Sequence, residues 1–289
     1  MKRTRARAEW TLAGISMIWG GSFVVVKAAL NDSSTLAFLA IRFVIASALL
    51  GVVFAPALRG NRPGRSGWRG GAICAVLLFL GFAFQTAGLR YTSASNSAFL
   101  TGLYVVLVPL FASLLTREPP GRAEWAACGL ALTGTSLMTG VGPGSLNTGD
   151  LLTIASAAAF SAHMIAVAHW SARLSYEWLS LLQVAGVAVL SLGSFWWVEQ
   201  PFVIWTSRLG GALLVTAVLA TALSFSLYTW AQRLTTATRA ALLFALEPVF
   251  AGLIAWAVAG EHWTKLSLLG AGLILSSILL AQLRPGQTN

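Results

Sequence analysis

Charge is scarce in this chain. Of its 289 residues only 10% are Asp, Glu, Lys or Arg, and nine of those are acids, against roughly 25% charged in an ordinary soluble domain. A chain so poor in solvated groups cannot cover itself against water, which excludes a typical soluble globular protein. Cysteine is limited to Cys74 and Cys128, both inside apolar runs. They read as small buried side chains, and neither a disulfide framework nor a metal site follows. Paired membrane aspartates, His-Glu-x-x-His and Gly-x-Ser-x-Gly are all missing, so the constellation an intramembrane enzyme needs is not there and no catalytic residue is assigned. The polar groups are few and unlike one another, which argues against the ring of carbonyls or like charges of a channel filter. The enzyme and the channel are thus the remote alternatives. The net charge of +10 does not indicate nucleic acid, because the basic residues sit at run ends and in loops rather than on one face.

What the chain has is hydrophobic material, 57% of all residues, divided into runs of about 20 residues, the length that crosses a bilayer as a helix. Ten such spans are expected: Glu9 to Ala29, Thr35 to Phe54, Trp68 to Leu89, Ser93 to Thr116, Arg122 to Val141, Asp150 to Trp170, Trp178 to Val198, Arg208 to Trp230, Thr236 to Ala259 and Thr264 to Leu283. Breaks carry Gly and Pro, as at Pro119-Pro120-Gly121 and Gly142-Pro143-Gly144. The basic start resembles a signal-peptide n-region, yet no small-residue cleavage site precedes polar chain, so the first run is read as a retained helix. The expected fold is all-α integral membrane.

Alternate loops differ in charge. One side collects Lys2, Arg3, Arg5, Arg7, Arg59, Arg62, Arg65, Arg69, Arg117, Arg122, Arg173, Arg233 and Arg284, whereas the other has Arg90, Arg208 and Lys265. Cytoplasmic loops keep the positive excess, so both termini are expected in the cytoplasm. Trp10, Trp68, Trp125, Trp170, Trp178, Trp205 and Trp263 lie near run ends, where an indole suits the headgroup layer.

Shifted by 143 positions, the chain matches itself. Arg90 meets Arg233, Thr92 meets Thr235, Ala94 meets Ala237, Glu118 meets Glu261 and Gly129 meets Gly272. Two repeats of five spans follow, residues 9–141 and 150–283. Because five is odd, the second enters the membrane from the opposite side. Inverted repeats can pack in two exchanged ways around a central cavity, which is the basis of alternating access.

Several short motifs, in order and duplicated, resemble the drug/metabolite transporter superfamily and in particular its EamA-type ten-helix exporters. They are Trp19-Gly20-Gly21-Ser22-Phe23 with Lys27, Arg42-Phe43, and Tyr91-Thr92-Ser93-Ala94-Ser95-Asn96-Ser97-Ala98. In the second half they are Thr235-Thr236-Ala237-Thr238-Arg239-Ala240-Ala241, Glu247-Pro248 and Gly260-Glu261. The resemblance implies a basket of helices around a central cavity. It also implies export of small amphipathic metabolites from a bacterial inner membrane, with neutral or aromatic amino acids as first choice and drugs or other metabolites as the alternative. The expected partners are a small solute and the bilayer, with no cofactor, no metal and one copy of the chain as the transporting unit.

Polar groups at membrane depth are costly and so mark candidate sites. His163, near the middle of the sixth span, either faces substrate or makes an interhelical hydrogen bond. Trp19 and Ser22 stand at the matching depth of the first span. Leu78, Phe82 and Gln85 share one helical face, and Asn96, Phe99 and Leu103 another. These nine residues form the expected substrate-binding set. Gating or coupling is assigned to Lys27, Arg42, Glu247 and Pro248. Glu247 is the carboxylate set deep in a span, a proton-coupling group or a packing partner of Arg239 or Lys27, and Pro248 is expected to kink its helix. Gly14 to Gly21, Gly129 to Gly134, and Gly270 with Gly272 are read as close helix contacts.

Overall fold

A computed structural model describes residues 2–60, 62–117, 119–139, 146–259 and 264–282. The expectations placed on Met1, Glu118, Val141, Gly142-Pro143-Gly144, Gly260-Glu261, Trp263, Leu283 and Arg284 lie outside the described residues. Among those described the chain is helical throughout: α1 (Lys2–Ala29), α2 (Thr35–Val53), α3 (Ala55–Gly60), α4 (Arg65–Gly88), α5 (Ala94–Thr101), α6 (Tyr104–Thr116), α7 (Arg122–Thr139), α8 (Thr148–Ser171), α9 (Tyr176–Val198), α10 (Ser207–Ala217), a π turn (Val218–Leu223), α11 (Ser224–Gln232), α12 (Ala237–Phe244), α13 (Glu247–Ala259) and α14 (Lys265–Gln282). An isolated antiparallel bridge, Ser33 to Val203, is the sole strand-like pairing among the described residues.

Eight helical stretches are long and apolar enough to cross a bilayer, α5–α6, α10–α11 and α12 with the first part of α13 each counting as one; α14 is a shorter apolar helix over Lys265–Leu280, and α7 is not among the eight. Three expected spans are interrupted, the one from Arg208 to Trp230 by the π turn. The stretch from Ser93 to Thr116 tightens at Gly102-Leu103, where the amide of Val105 bonds back to Gly102 and that of Val106 to Leu103. The stretch from Thr236 to Ala259 breaks at Ala245-Leu246. Pro248 is therefore not a mid-helix kink. It sits in the first turn of α13, where a missing N–H leaves no bond unmade. The true interior proline is Pro109 in α6. It cannot bond the carbonyl of Val105 one turn back, and the Cys128 thiol donates to that oxygen instead, at 3.2 Å.

Adding 143 to the bounds of α5, α6 and α7 reproduces the bounds of α12, α13 and α14. Helices at matching positions also pack together. α7 lies against α14, and α2 against α9. The latter pair runs antiparallel: Glu199, after α9, accepts from the backbone amides of Leu36 and Ala37 at the start of α2, while Phe54, at the end of α2, stacks edge-on with Tyr176 at the start of α9. α1 packs on α11 and α13, and α4 on α8 and α9. A Cβ at Gly20 would collide with the carbonyl of Glu247, so the α1 and α13 backbones touch there, and Gly134 meets Gly270 in the same way. Gly14, Gly129 and Gly272 have open space beside them, which corrects the expectation that they too mediate helix contacts.

Candidate functional site

The walls of one cavity come from most of these helices. Trp19, Ser22, Phe23 and Val26 of α1, Arg42 of α2, Leu78, Phe82, Gln85 and Thr86 of α4, Thr101 and Tyr104 at the α5–α6 break, Phe160, His163 and Met164 of α8, Phe225 and Tyr228 of α11, Phe244 of α12 and Glu247 of α13 line it. It holds about 730 Å³ of space not filled by protein atoms, its open mouth included. Its lining is aromatic. The Trp19 ring lies 5.5 Å from Phe225, 6.3 Å from Tyr228 and 4.9 Å from Phe244, and Phe82 meets Phe43, Phe160 and Phe225 edge-on at 5.1–6.0 Å. Such tilted and edge contacts are the favoured arrangements of ring quadrupoles, so the cage is a packed scaffold with its faces set.

The polar groups are held by bonds that bring distant segments together. The π turn lets Thr221 Oγ1 donate five residues back to Thr216, and Ser224 to Leu219. In the same wide turn the Ala220 carbonyl accepts from Trp19 Nε1 at 3.0 Å, and Thr221 Oγ1 accepts from Arg42 Nε at 2.8 Å. Single π turns inside helices recur at functional sites. His163 Nε2 donates to Gln183 Oε1 at 2.7 Å, Gln183 Nε2 donates to Thr229 Oγ1 at 2.9 Å, and Thr229 donates to the Phe225 carbonyl. With Gln183 oxygen as the acceptor, His163 carries its proton on Nε2; it lines the cavity and makes an interhelical bond. Gln85 Nε2 donates to Thr101 Oγ1 at 3.1 Å. Tyr104 Oη donates to Glu247 Oε1 at 3.0 Å, two residues 143 positions apart. The buried hydroxyl of Tyr228 has no hydrogen-bond partner among the described residues.

Of the expected binding set, Trp19, Ser22, Leu78, Phe82, Gln85 and His163 line the cavity together. Asn96, Phe99 and Leu103 are not among its walls. The inward face of this stretch is the neighbouring one, on which Ser97, Leu100, Thr101 and Tyr104 are buried. Asn96 instead donates to Asp150 at 3.2 Å, alongside Thr92 at 2.6 Å. In the gating set, Arg42 and Glu247 line the cavity and Pro248 and Lys27 do not; Lys27 donates to the carbonyls of Leu89, a wall residue, and Thr92. Glu247 bonds neither Arg239 nor Lys27. Tyr228, Phe225, Phe244 and Thr86 are cavity residues that were not selected from sequence. No local sequence pattern marks them.

Polar clusters join helix starts outside the cavity. Glu9 of α1 accepts from Arg5 at 3.1 Å and from Arg239 of α12 at 3.3 Å. Asp150, in the capping box of α8 with Asn147, takes the bonds from α5 and its cap. In the loop after α1, Asp32 accepts from Arg208 at 2.6 and 2.8 Å and from Thr206 at 2.7 Å. Those bonds, Arg208 first, hold its carboxyl below the ordinary 3.8. Among the described residues no three His, Cys, Asp or Glu side chains gather as a metal site would require.

The EamA-like transporter family model matches the chain twice, over residues 7–140 and 147–283. An uncharacterized transporter of Archaeoglobus fulgidus is 34% identical over 282 residues, covering 97% of this chain and 87% of that protein. The uncharacterized transporter YvbV of Bacillus subtilis is 26% identical, covering 96% and 92%. One crystal structure shares the fold with a TM-score of 0.76 at 19% identity, over 96% of this chain and 97% of that one.

Proposed function

The chain belongs to the EamA-like transporter family and is a multi-pass membrane transporter, and from that premise we propose that it exports small amphipathic solutes, neutral or aromatic amino acids first among them, by alternating access. The observation that carries the reading is the aromatic cavity itself, walled by helices from both halves of the chain and holding a few fixed polar groups. An apolar site with a few convergent polar groups is the usual form of a small-molecule site, and one built between two repeats is where carriers bind.

In this reading the repeats are residues 9–141 and 150–283, ten spans in all, inverted with both termini in the cytoplasm of a bacterial inner membrane. Three observations support the inversion: the recurrence of helix bounds at 143 positions, the antiparallel pairing of α2 with α9, and the bond between Tyr104 and Glu247. Two residues at matching positions can touch only where the two copies meet, on the axis that relates them. Exchange of the two packings then moves the gates while that contact stays central. Export of drug-like compounds is the second reading, favoured by the same flat aromatic walls.

Reconstitution of the full chain into liposomes tests this. Labelled phenylalanine, methionine and threonine should exchange across loaded vesicles faster than across empty ones. Exchange of drug-like cations alone would select the second reading, and no exchange of any compound would overturn both. Accessibility labelling of single cysteines at positions 90 and 233 should place them on opposite sides.

A further inference from the structure

Arg42 is an unusual cavity residue, because its charge is buried and nearly unanswered. Its side chain lies in the middle of α2, only 3% exposed. Nε donates to Thr221, and the guanidinium carbon stands 4.8 Å from the centre of the Phe82 ring and 5.4 Å from that of Phe43. The two terminal nitrogens have no hydrogen-bond partner among the described residues, and no carboxylate pairs with them: the ion pairs there are Arg5 with Glu9, Arg239 with Glu9, and Arg208 with Asp32. Glu247, the carboxyl that shares the cavity, is bonded by Tyr104 instead. A buried cation costs several kcal/mol unless it is paired, and two ring faces offset part of that at most. A second group in the same cavity is also incomplete. Tyr228 Oη is fully buried, 1% exposed as a residue, and without a partner among the described residues, and native interiors rarely leave such a donor unsatisfied.

We propose that Arg42 is the anion-recognising residue of the cavity, binding through its free planar fork the carboxylate of a solute whose apolar body lies on Phe82, Phe160 and Phe225, with the Tyr228 hydroxyl as a further hydrogen-bonding group. The fork of a guanidinium matches the two oxygens of a carboxylate, and the ring cage matches the rest of such a molecule. The class so defined is apolar and aromatic carboxylates, of which amino acids are the members that add an ammonium. This deepens the carrier reading above and rests on it. It also changes the part assigned to Arg42, from gating to recognition.

Three probes share one ring and differ in head group: phenylalanine, 3-phenylpropanoate and phenethylamine. Equilibrium binding of each, labelled, to the purified full-length protein should favour the two carboxylates over the amine by about ten- to a hundred-fold, the range that a charge-assisted hydrogen bond carries. Arg42→Gln should compress that ratio to within about three-fold, with Arg42→Lys in between. The idea is overturned if wild-type protein binds the amine as tightly as the acid, if none of the three probes binds, or if Arg42→Gln keeps the wild-type ratio. The wild-type comparison decides the matter even where the variants do not fold. Counterflow of labelled phenylalanine reports on the carrier function separately. Counterflow without head-group discrimination overturns the role of Arg42 alone, and discrimination without counterflow overturns the carrier reading on which the proposal rests.

Discussion

Leu78 and Thr221 occupy matching positions, 143 residues apart, yet they do opposite work. Leu78 is a fully buried apolar wall on the unbroken helix α4, whereas Thr221 sits in the π turn between α10 and α11 and holds Arg42 by its hydroxyl. The same divergence recurs at the starts of α5 and α12. Asn96 reaches Asp150 as a neutral amide, and Arg239, at the matching position, reaches Glu9 as a cation. Similar helix plans therefore carry unlike chemistry. One half supplies the buried charge, Arg42, and the other supplies the turn that orients it.

That contrast can be broken experimentally, beginning with its largest effect. Leu78→Ala should cost about 2–5 kcal/mol of stability, as emptied buried leucine sites do, read as a lowered melting temperature in detergent. Thr221→Ala should cost less, about 1–3 kcal/mol, because it leaves a buried charged donor unpaired. It should weaken 3-phenylpropanoate binding more than Leu78→Ala does at matched folded fraction. Equal losses of binding in the two variants would show that both positions act by packing alone.

Making the helix starts alike is a gentler change. Arg239→Asn copies Asn96 into the second half and should remove about 0.2–1 kcal/mol, the range of a partly exposed ion pair. The difference from wild type should shrink in 1 M salt, where the screening length falls to about 3 Å. A difference that is independent of salt would show that the Arg239 stem packs rather than pairs.

The smallest effect is expected at the loop pair of Asp32 and Arg208. The Asp32 carboxyl is held below 3.8 by Arg208 and Thr206, so its contribution is complete above that value and is lost as pH falls through the lower folded-state value. The melting difference between wild type and Asp32→Asn should be constant above about pH 5 and fade in strongly acid solution. A difference that grows on acidification would reverse the sign assigned here.

The spans were legible because a helix that crosses lipid must be apolar along its whole length. Most expected boundaries fall within three residues of the observed helices, as with Asp150 to Trp170 against Thr148–Ser171. Much of the cavity was legible for a related reason: Trp19, Gln85 and His163 are the kind of side chain that needs a polar or enclosed setting at that depth. Asn96, Phe99 and Leu103 lie off the cavity because helical spacing shows which residues share a face but not which face turns inward, and here that face is Ser97, Leu100, Thr101 and Tyr104. Tyr228 was passed over because a tyrosine near a run end has an ordinary interfacial explanation.

The amino-acid sequence alone determined the solvent, the rough limits of most apolar segments, and the 143-residue period, since each of these depends on the order of residues along the chain. Only the tertiary structure decided that Arg42 faces a cavity beside Phe82 and not a carboxylate, that Thr221 meets it from a π turn, and that Tyr104 touches Glu247. Those contacts join residues 143 and 179 positions apart, and whether a buried polar group finds a partner is settled by packing between helices, which no local pattern encodes.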